Sequence, residues 1–289
     1  MPHPHDAIVA TDTCALPLVR RVAATLDLDP ARWREGDPLP RGWHLALFST
    51  DTPASALRHD GMAGFGFPLP DLGLPRIVFG GREIHFHHDI PIGAHLERTS
   101  RLADVEVKQG RTGRFAVVSI EHAISVTSEP AVCLTERHDY ILRPAATGKT
   151  TATAAPTAGT PSMRPPPKAA YHAVVTPDEV FLFRVSAVMF NPHRIHYDER
   201  YCREQEGYRA LVVNGSASCL LLMKFFETAV GRAPRRLSLR NLGLAYCAEP
   251  LHLHIDPIRP GDAAQDGLQY RVWASNGQGE LIVEGMVHV

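Results

Sequence analysis

Five side chains that can exchange or position protons lie close together in one stretch of the chain, SAVMFNPHRIHYDERYCREQEGYRALVVNG, from Ser186 to Gly215. They are an amide, two imidazoles, a guanidinium and a carboxylate: Asn191, His193, Arg194, His196 and Asp198. Polar loops held between rigid elements often carry function. An imidazole with a pKa near neutrality can take a proton from water and return one to carbon. The cluster therefore predicts acid/base chemistry, with His196 as the general acid/base.

This stretch resembles the signature of the MaoC-like (R)-specific enoyl-CoA hydratases, which reads roughly S-G-D-x-N-P-L-H-x-D and is followed further along the chain by H-G. Ser186, His196 and Asp198 match that signature, and Asn214-Gly215 stands where H-G is expected. The form F-N-x-H-R-I-H-Y-D is similar to one branch, which comprises the mesaconyl-C4-CoA or itaconyl-CoA hydratases and the mitochondrial-type 3-hydroxyacyl-thioester dehydratases. The segments RIVFGGREIHFHHDIPIGAHL and KQGRTGRFAVVSIEHAI extend the resemblance into the first half.

The resemblance implies an α+β fold of the tandem (double) hot-dog type, in which each half is an antiparallel sheet around a helix. It implies a catalytically silent N-terminal half over residues 1–143 and a C-terminal catalytic half over 171–289. Residues 144–170, rich in Pro, Ala and Thr, are predicted to form an extended linker. In the first half, the helix at the centre of the sheet is expected to be short and irregular and to lie within 55–66.

Periodicity in the sequence supports this organisation. Alternating apolar residues predict four strands in each half: 77–87, 96–108, 114–126 and 132–142 in the first, and 238–248, 251–255, 268–274 and 281–289 in the second. A strand is also predicted over 43–48, a capped helix over 12–28, and a helix that starts with a capping box at Thr176-Pro177-Asp178-Glu179. After Gly215 an almost continuously apolar segment ends at Gly231 and predicts a buried helix.

The composition excludes several classes of protein. With 289 residues, a formal net charge of -1 and 44% hydrophobic residues, the chain suits one or two globular domains. No basic face is indicated, which argues against nucleic-acid or membrane-surface binding. Five scattered cysteines suit a reducing compartment, and neither a signal peptide nor a membrane span is evident. We therefore expect a cytoplasmic protein with no nucleic-acid or membrane partner.

The resemblance assigns roles to the residues around His196. Gly215 opens the apolar helix, where free N–H groups and the helix dipole can polarise a thioester carbonyl. Asn191 stands where the wider family has a second catalytic acid, and its amide can orient water but cannot exchange protons. Asp198 either orients His196 or caps the following helix. His193 is expected to support the site without catalysing.

Candidate substrate-binding groups lie in the same stretch. A guanidinium can grip a carboxylate or a phosphate bidentately. The candidates are Arg194, Arg184, Arg209 and Asn214, with Arg203 nearby. The histidines of His85-Phe86-His87-His88 and His252-Leu253-His254 are expected on solvated strand faces, so no metal is predicted.

The sequence thus predicts a hydro-lyase that adds water across the double bond of a short dicarboxylic enoyl-CoA, mesaconyl-C4-CoA or itaconyl-CoA, giving citramalyl-CoA. Coenzyme A would enter as part of the acyl-CoA substrate, with no separate cofactor, and a homodimer is compatible with the fold. One alternative is a 3-hydroxyacyl-thioester dehydratase of fatty-acid synthesis. Another is a non-catalytic acyl-thioester binding protein.

Overall fold

A computed structural model of the protein describes residues 7–64, 71–110, 113–129, 131–144, 169–258 and 267–289. The chain divides into two compact units. The first contains the described residues up to 144 and the segment Val188–Asn191, and the second contains residues 169–187 and the described residues from 192 onward. The predicted linker over 144–170 lies almost entirely outside the described residues.

The first unit is an antiparallel sheet in the order β1-β3-β4-β5-β2. Its strands are β1 (Ile8–Thr13), β2 (Arg76–Phe86), β3 (His95–Gly110), β4 (Gly113–Val126) and β5 (Val132–Arg143). Helix α1 (Leu16–Thr25) follows β1 and buries one face, which includes Val19 and Val22. The segment between α1 and β2 holds only short 3-10 turns among its described residues: Pro30–Arg32, Trp43–Ala46 and Ala54–Ala56.

The second unit is an antiparallel sheet in the order β6-β8-β9-β10-β7. Its strands are β6 (Tyr171–Val175), β7 (Arg236–Asn241), β8 (Leu251–Ile258), β9 (Gln269–Asn276) and β10 (Leu281–His288). Its helices are α2 (Glu179–Val188), α3 (Glu199–Tyr201), a π-helical turn (Cys202–Glu206) and α4 (Gly215–Val230). When the strands of each unit are counted along the chain, both sheets have the same order: first, third, fourth, fifth, second.

Helix α4 forms the centre of the second unit. It packs against β8 and β9, and it buries Leu220, Leu222 and Phe226. The Phe226 ring meets Tyr270 edge-on with centroids 5.2 Å apart. The helix ends at Gly231, whose φ of 68° is the left-handed conformation that glycine adopts without strain. The predicted buried helix is confirmed, as is the α+β class of the fold.

The eight strands predicted from alternation are all present. In β4, for example, the buried residues Ala116, Val118 and Ile120 recur at every second position, as a strand with one covered face requires. The predicted strand over 238–248 stops at Asn241. The short edge strands β1 and β6 were not predicted.

Three local predictions were wrong. Trp43–Ala46 is a 3-10 helix and not a strand, because Gly42 enters it at a φ of 90° and turns the chain. Asp12 lies in β1, and α1 begins after Ala15 without a side-chain cap. Asp178, and not Thr176, caps α2, because its carboxylate accepts the Phe181 N–H at 2.7 Å.

The central helix expected within 55–66 is also not found in the described part of that interval. A single 3-10 turn, Ala54–Ala56, enters it, and the remaining residues to Gly64 are irregular. Positions 65 and 66 lie outside the described residues.

No helix among the described residues combines the length and the apolar character that a membrane crossing needs. The five cysteines are buried and form no disulfide in the described structure. The cytoplasmic location and the homodimer remain predictions.

Candidate active site

His196 is the buried member of the polar cluster. It ends the 3-10 turn Arg194–His196, and only 6% of its surface is exposed. Its Nδ1 lies 2.7 Å from the carbonyl oxygen of Val212. Because a carbonyl only accepts hydrogen bonds, Nδ1 must carry the proton, and Nε2 keeps its lone pair. The free lone pair is what a general base needs.

Asn214 joins this base to helix α4. Its side-chain oxygen accepts the N–H of Ser216 at 2.7 Å and so caps the helix. The amide nitrogen therefore faces the other way, and it lies 3.4 Å from Nε2 of His196. Substrate binding by Asn214 remains a prediction, and the structure places its amide beside Nε2 of His196 at the start of α4.

Burial sets the protonation state of His196. It lowers the pKa of the imidazole from 6.5 to about 4, while the Val212 carbonyl raises the pKa and nearby His193 lowers it further. The His193 ring meets the His196 ring edge-on at 5.4 Å. At neutral pH the imidazole is therefore uncharged and able to accept a proton.

The loop that carries His196 is fixed by backbone contacts. Val212 N–H donates to Ile195 O at 2.9 Å, and Val213 N–H donates to Ala245 O at 2.9 Å. The thiol of Cys202 also donates to Ile195 O, at 3.2 Å. These bonds hold the residues on both sides of the Nδ1–Val212 contact, so hydrogen bonds within the loop position the ring.

Gly215 is the first residue of α4 and directly follows Asn214. The first N–H groups of a helix have no partner within the helix, and the dipole makes this end positive. A carbonyl oxygen placed here can be stabilised as negative charge develops on it. The predicted oxyanion role of Gly215 therefore has a suitable location, next in sequence to the residue that touches the base.

Asp198 caps α3, one of the two alternatives that the sequence left open. Its carboxylate accepts the Tyr201 N–H at 2.9 Å and pairs with Arg194 at 2.7 Å. The Tyr201 N–H and then the Arg194 guanidinium hold the pKa of the carboxyl below its usual range. The Arg194 guanidinium also lies over the Tyr201 ring, 4.2 Å from its centroid.

The other arginines of the stretch are mostly paired on the surface. Arg203 contacts Glu199 at 2.6 Å. Arg209 contacts Glu249 at 2.5 Å and stacks on Tyr246. Like Arg194, they have carboxylate partners within the protein, and their roles in substrate binding remain predictions. Arg184 is exposed on α2, and its role remains a prediction.

Two further residues of the signature lie in α2 and shortly after it. Asn191 is half-buried and belongs to the segment Val188–Asn191 of the first unit. Its water-orienting role remains a prediction. Ser186 lies on α2, and its buried hydroxyl has no hydrogen-bond partner among the described residues.

The histidine-rich segments are engaged in protein contacts. His254 is fully buried, which corrects the predicted solvated face, and it stacks on Trp273 at 4.9 Å. His85 lies 2.7 Å from Glu83, and His87 lies 3.2 Å from Thr135. Within the described ranges, no three metal-ligating side chains come together.

Comparison with known proteins identifies the family of the chain. The model of the family described as hydroxyacyl-thioester dehydratase type 2 matches residues 42–247. The chain belongs to this family. A mesaconyl-C(4)-CoA hydratase of Chloroflexus aurantiacus is 33% identical over 251 residues, which cover 86% of this chain and 85% of the relative.

Solved structures show the same fold. A MaoC-like dehydratase superimposes with a TM-score of 0.70 at 15% identity and covers 99% of this chain and 98% of its own. A Mycobacterium tuberculosis protein described as a double hot-dog fold gives a TM-score of 0.54 at 12% identity, with 99% and 96% covered. The protein is thus a tandem hot-dog, MaoC-like enzyme of the hydratase/dehydratase class, a hydro-lyase acting on acyl thioesters.

Proposed function

We propose that the enzyme hydrates the short dicarboxylic enoyl thioester mesaconyl-C4-CoA to citramalyl-CoA. The observation that carries the proposal is the His196 arrangement, in which Nδ1 donates to Val212 O and the unprotonated Nε2 lies 3.4 Å from the Asn214 amide nitrogen at the cap of α4. The acyl group is inferred from the relative named for this substrate, which matches most of both chains.

In the proposed reaction His196 carries the proton in both steps. Nε2 takes a proton from water as the oxygen bonds to the β-carbon, and the π electrons move through the α-carbon onto the thioester oxygen. The N–H of Gly215 stabilises the resulting enolate. The imidazolium then returns its proton to the α-carbon, so atoms and charge balance. No cofactor is needed beyond the coenzyme A of the substrate.

The position of the double bond favours mesaconyl-C4-CoA over itaconyl-CoA. In the former the alkene is conjugated with the thioester, so addition at the β-carbon gives an enolate that the helix terminus can stabilise. In the latter the alkene is one bond further from the carbonyl and gives no such enolate. We therefore expect itaconyl-CoA to react only after isomerisation.

The test is the rate of His196→Ala with mesaconyl-C4-CoA. We expect kcat to fall by about 10²–10⁴, the usual loss for a general acid/base. His193→Ala is the matched control, because it removes a neighbouring imidazole of the same loop; we expect a loss of less than about tenfold by the same scale. Equal losses for both variants would remove His196 from the proton transfers.

The runner-up is dehydration of 3-hydroxyacyl thioesters, which the description of the family favours. The same groups would act in reverse, since a base and an enolate site serve both directions. Comparison of kcat/KM for mesaconyl-C4-CoA with that for a long 3-hydroxyacyl-CoA decides between the two. A preference for the long, uncharged chain would establish the dehydratase.

A further inference from the structure

The first unit carries a band of polar side chains on the face of its sheet that Trp43–Phe48 covers. Alternate residues of a strand share a face, and the strand pairing aligns neighbours across the sheet. The band comprises Arg98 and Ser100 of β3, His122 of β4, Glu136, His138 and Tyr140 of β5, and Arg82 of β2. His44 reaches it from the 3-10 helix. Such a band is unusual on the covered face of a sheet.

Glu136 is the carboxylate of this band, and three groups already contact it. Arg82 donates to it at 3.1 Å, His44 lies 3.3 Å away and His138 lies 2.7 Å away. Burial opposes its ionisation, but His138 and Arg82 outweigh burial and hold the pKa of the carboxyl well below its usual range. Glu136 therefore remains charged and is the partner of Arg82.

Arg98 lacks a comparable partner. Its Nε is buried without a hydrogen bond, and no ion pair joins its guanidinium to a carboxylate in the part of the chain that the structure describes. Burial lowers the pKa of Arg98, and Glu136 raises it. The carboxylate of Asp12 also raises the pKa of Arg98, and it accepts the N–H groups of Thr13 and Phe48. The side chain is half-buried, so an anion that reaches the guanidinium can pair with it.

The surroundings hold Arg98 in place. Its guanidinium lies over the Phe48 ring, 4.9 Å from the centroid. Phe48 has a φ of 55°, which is strained for a bulky residue, and the Asp12 carboxylate fixes its N–H. Backbone strain of this kind persists where the fold imposes it and is concentrated at functional sites.

We propose that Arg98 is the anchor of a carboxylate-binding site within the first unit. A single guanidinium without a partner matches a monoanion, and its planar donors fit a carboxylate. Ser100 and His122, which lie 2.8 Å from each other, flank it as neutral hydrogen-bonding groups, since burial lowers the pKa of His122 to about 3. The carboxylate can belong to a dicarboxylic acyl thioester or to a free organic acid.

Arg98→Met tests the proposal without any activity measurement. Methionine keeps much of the apolar stem and removes the charge. We expect the ligand-free variant to melt about 2–4 °C higher than the wild type, because a half-buried cation whose Nε has no hydrogen bond is lost. Arg101→Met is the matched control: Arg101 is on the same strand but is exposed and paired with Glu121, so we expect no such rise. A lower Tm for Arg98→Met would show that the side chain has a structural partner, and would overturn the site.

Two further arms identify the source of the carboxylate. In the first, free mesaconate raises the Tm of the wild type and of Arg101→Met but not of Arg98→Met. In the second, which rests on the proposed function, Arg98→Met lowers the ratio of kcat/KM for mesaconyl-C4-CoA to that for crotonyl-CoA by at least about tenfold. A Tm shift with mesaconate and no change in the kcat/KM ratio would indicate that Arg98 binds a free organic acid. A change in the kcat/KM ratio would indicate that it binds the carboxylate of the acyl group.

No response in either arm would overturn the carboxylate site, and an equal loss with both thioesters would overturn its role in selectivity. Failure of the proposed function has a different signature. In that case the wild type itself would show no preference for mesaconyl-C4-CoA, while the Tm measurements with free mesaconate would still decide whether Arg98 binds a carboxylate.

Discussion

The two units share a strand order, but their sheets are covered in different ways. In the second unit α4 packs on a face lined by apolar residues: Leu253, Ile255, Val272, Ala274, Val283 and Val287. In the first unit the corresponding element is reduced to 3-10 turns, and the covered face carries Arg82, Arg98, His122, Glu136 and His138. One unit therefore has a helix whose N-terminus lies beside His196, and the other has the buried charges of Arg82 and Glu136 where it lacks a helix.

This difference changes what the covered face of each sheet must satisfy. A long apolar helix supplies core area and a positive terminus, which suits an enolate. A sheet without that helix has less apolar cover, and its polar groups must satisfy one another or a ligand. In the first unit Glu136 contacts Arg82, His44 and His138, whereas Nε of Arg98 is among the buried polar atoms that have no hydrogen bond.

The largest effect on stability is expected from Glu136→Leu. It leaves Arg82 buried without its carboxylate, so we expect a loss of about 3–5 kcal/mol in the free energy of unfolding by urea. Adding Arg82→Met should recover much of the loss. The control Glu121→Leu removes an exposed partner of Arg101 and should cost about 1 kcal/mol or less. A small effect of Glu136→Leu would show that the band contributes little to the first unit.

Leu222→Ala tests the apolar side of the comparison. Leu222 is 1% exposed on α4, so we expect a loss of about 2–5 kcal/mol in the free energy of unfolding. Leu57→Ala, in the irregular interval of the first unit, removes a half-buried side chain of the same type and should cost about 1 kcal/mol. Equal losses would mean that the interval after Ala54–Ala56 is a core element despite its lack of a helix.

Asn214 separates helix capping from support of the base. Asn214→Ala should cost about 1 kcal/mol of stability, because the Ser216 N–H loses its acceptor. Asn214→Asp keeps an acceptor and should restore most of that stability. Its negative charge beside Nε2 should raise the pKa of His196 and move the acidic limb of the kcat/KM profile to higher pH. An unchanged profile would place Asn214 outside the base's environment.

The smallest effect is the response of the wild type to moderate acid. The pKa of His196 is about 4, so kcat/KM should stay level from neutral pH to about one unit above that value and fall as Nε2 is protonated. The pKa of His196 is 6.5 in the unfolded chain and about 4 in the folded protein, so between these values the unfolded chain binds more protons. The contribution of neutral His196 to stability is therefore complete above pH 6.5 and is lost as the pH falls through about 4. An acidic limb near 6.5 would indicate an exposed base.

Most of the sheet could be predicted because alternation is local. Residues two apart in RFAVVSIEHAISV share a face whatever surrounds them. Strands β1 and β6 were missed because five or six residues at a sheet edge give too short a pattern. Trp43–Ala46 has the apolar residues of a strand, but Gly42 turns the chain. The segment therefore forms a 3-10 helix, in which Trp43 and Ala46 are buried.

The site could be predicted only in part. Residue types and spacing indicated His196 and the start of α4. Asn214, however, both caps α4 and contacts His196, which lies 18 residues earlier in the sequence. That second contact depends on how the loop folds against the helix. Arg98 gave no signal at all, because HLERTSRL reads as a polar strand in which any arginine can be solvated. A missing partner is visible only when the neighbours are in place.

The bond from Nδ1 of His196 to the Val212 carbonyl has an evolutionary consequence. In many catalytic sites a carboxylate side chain orients the histidine, and one substitution removes it. Here the acceptor is a main-chain oxygen, which every amino acid supplies. Mutation at position 212 can alter packing, but it cannot delete the group that selects the tautomer. The site is thus mutationally robust at the contact that prepares the base, and sequence drift at Val212 should be tolerated wherever a side chain of similar volume preserves the backbone.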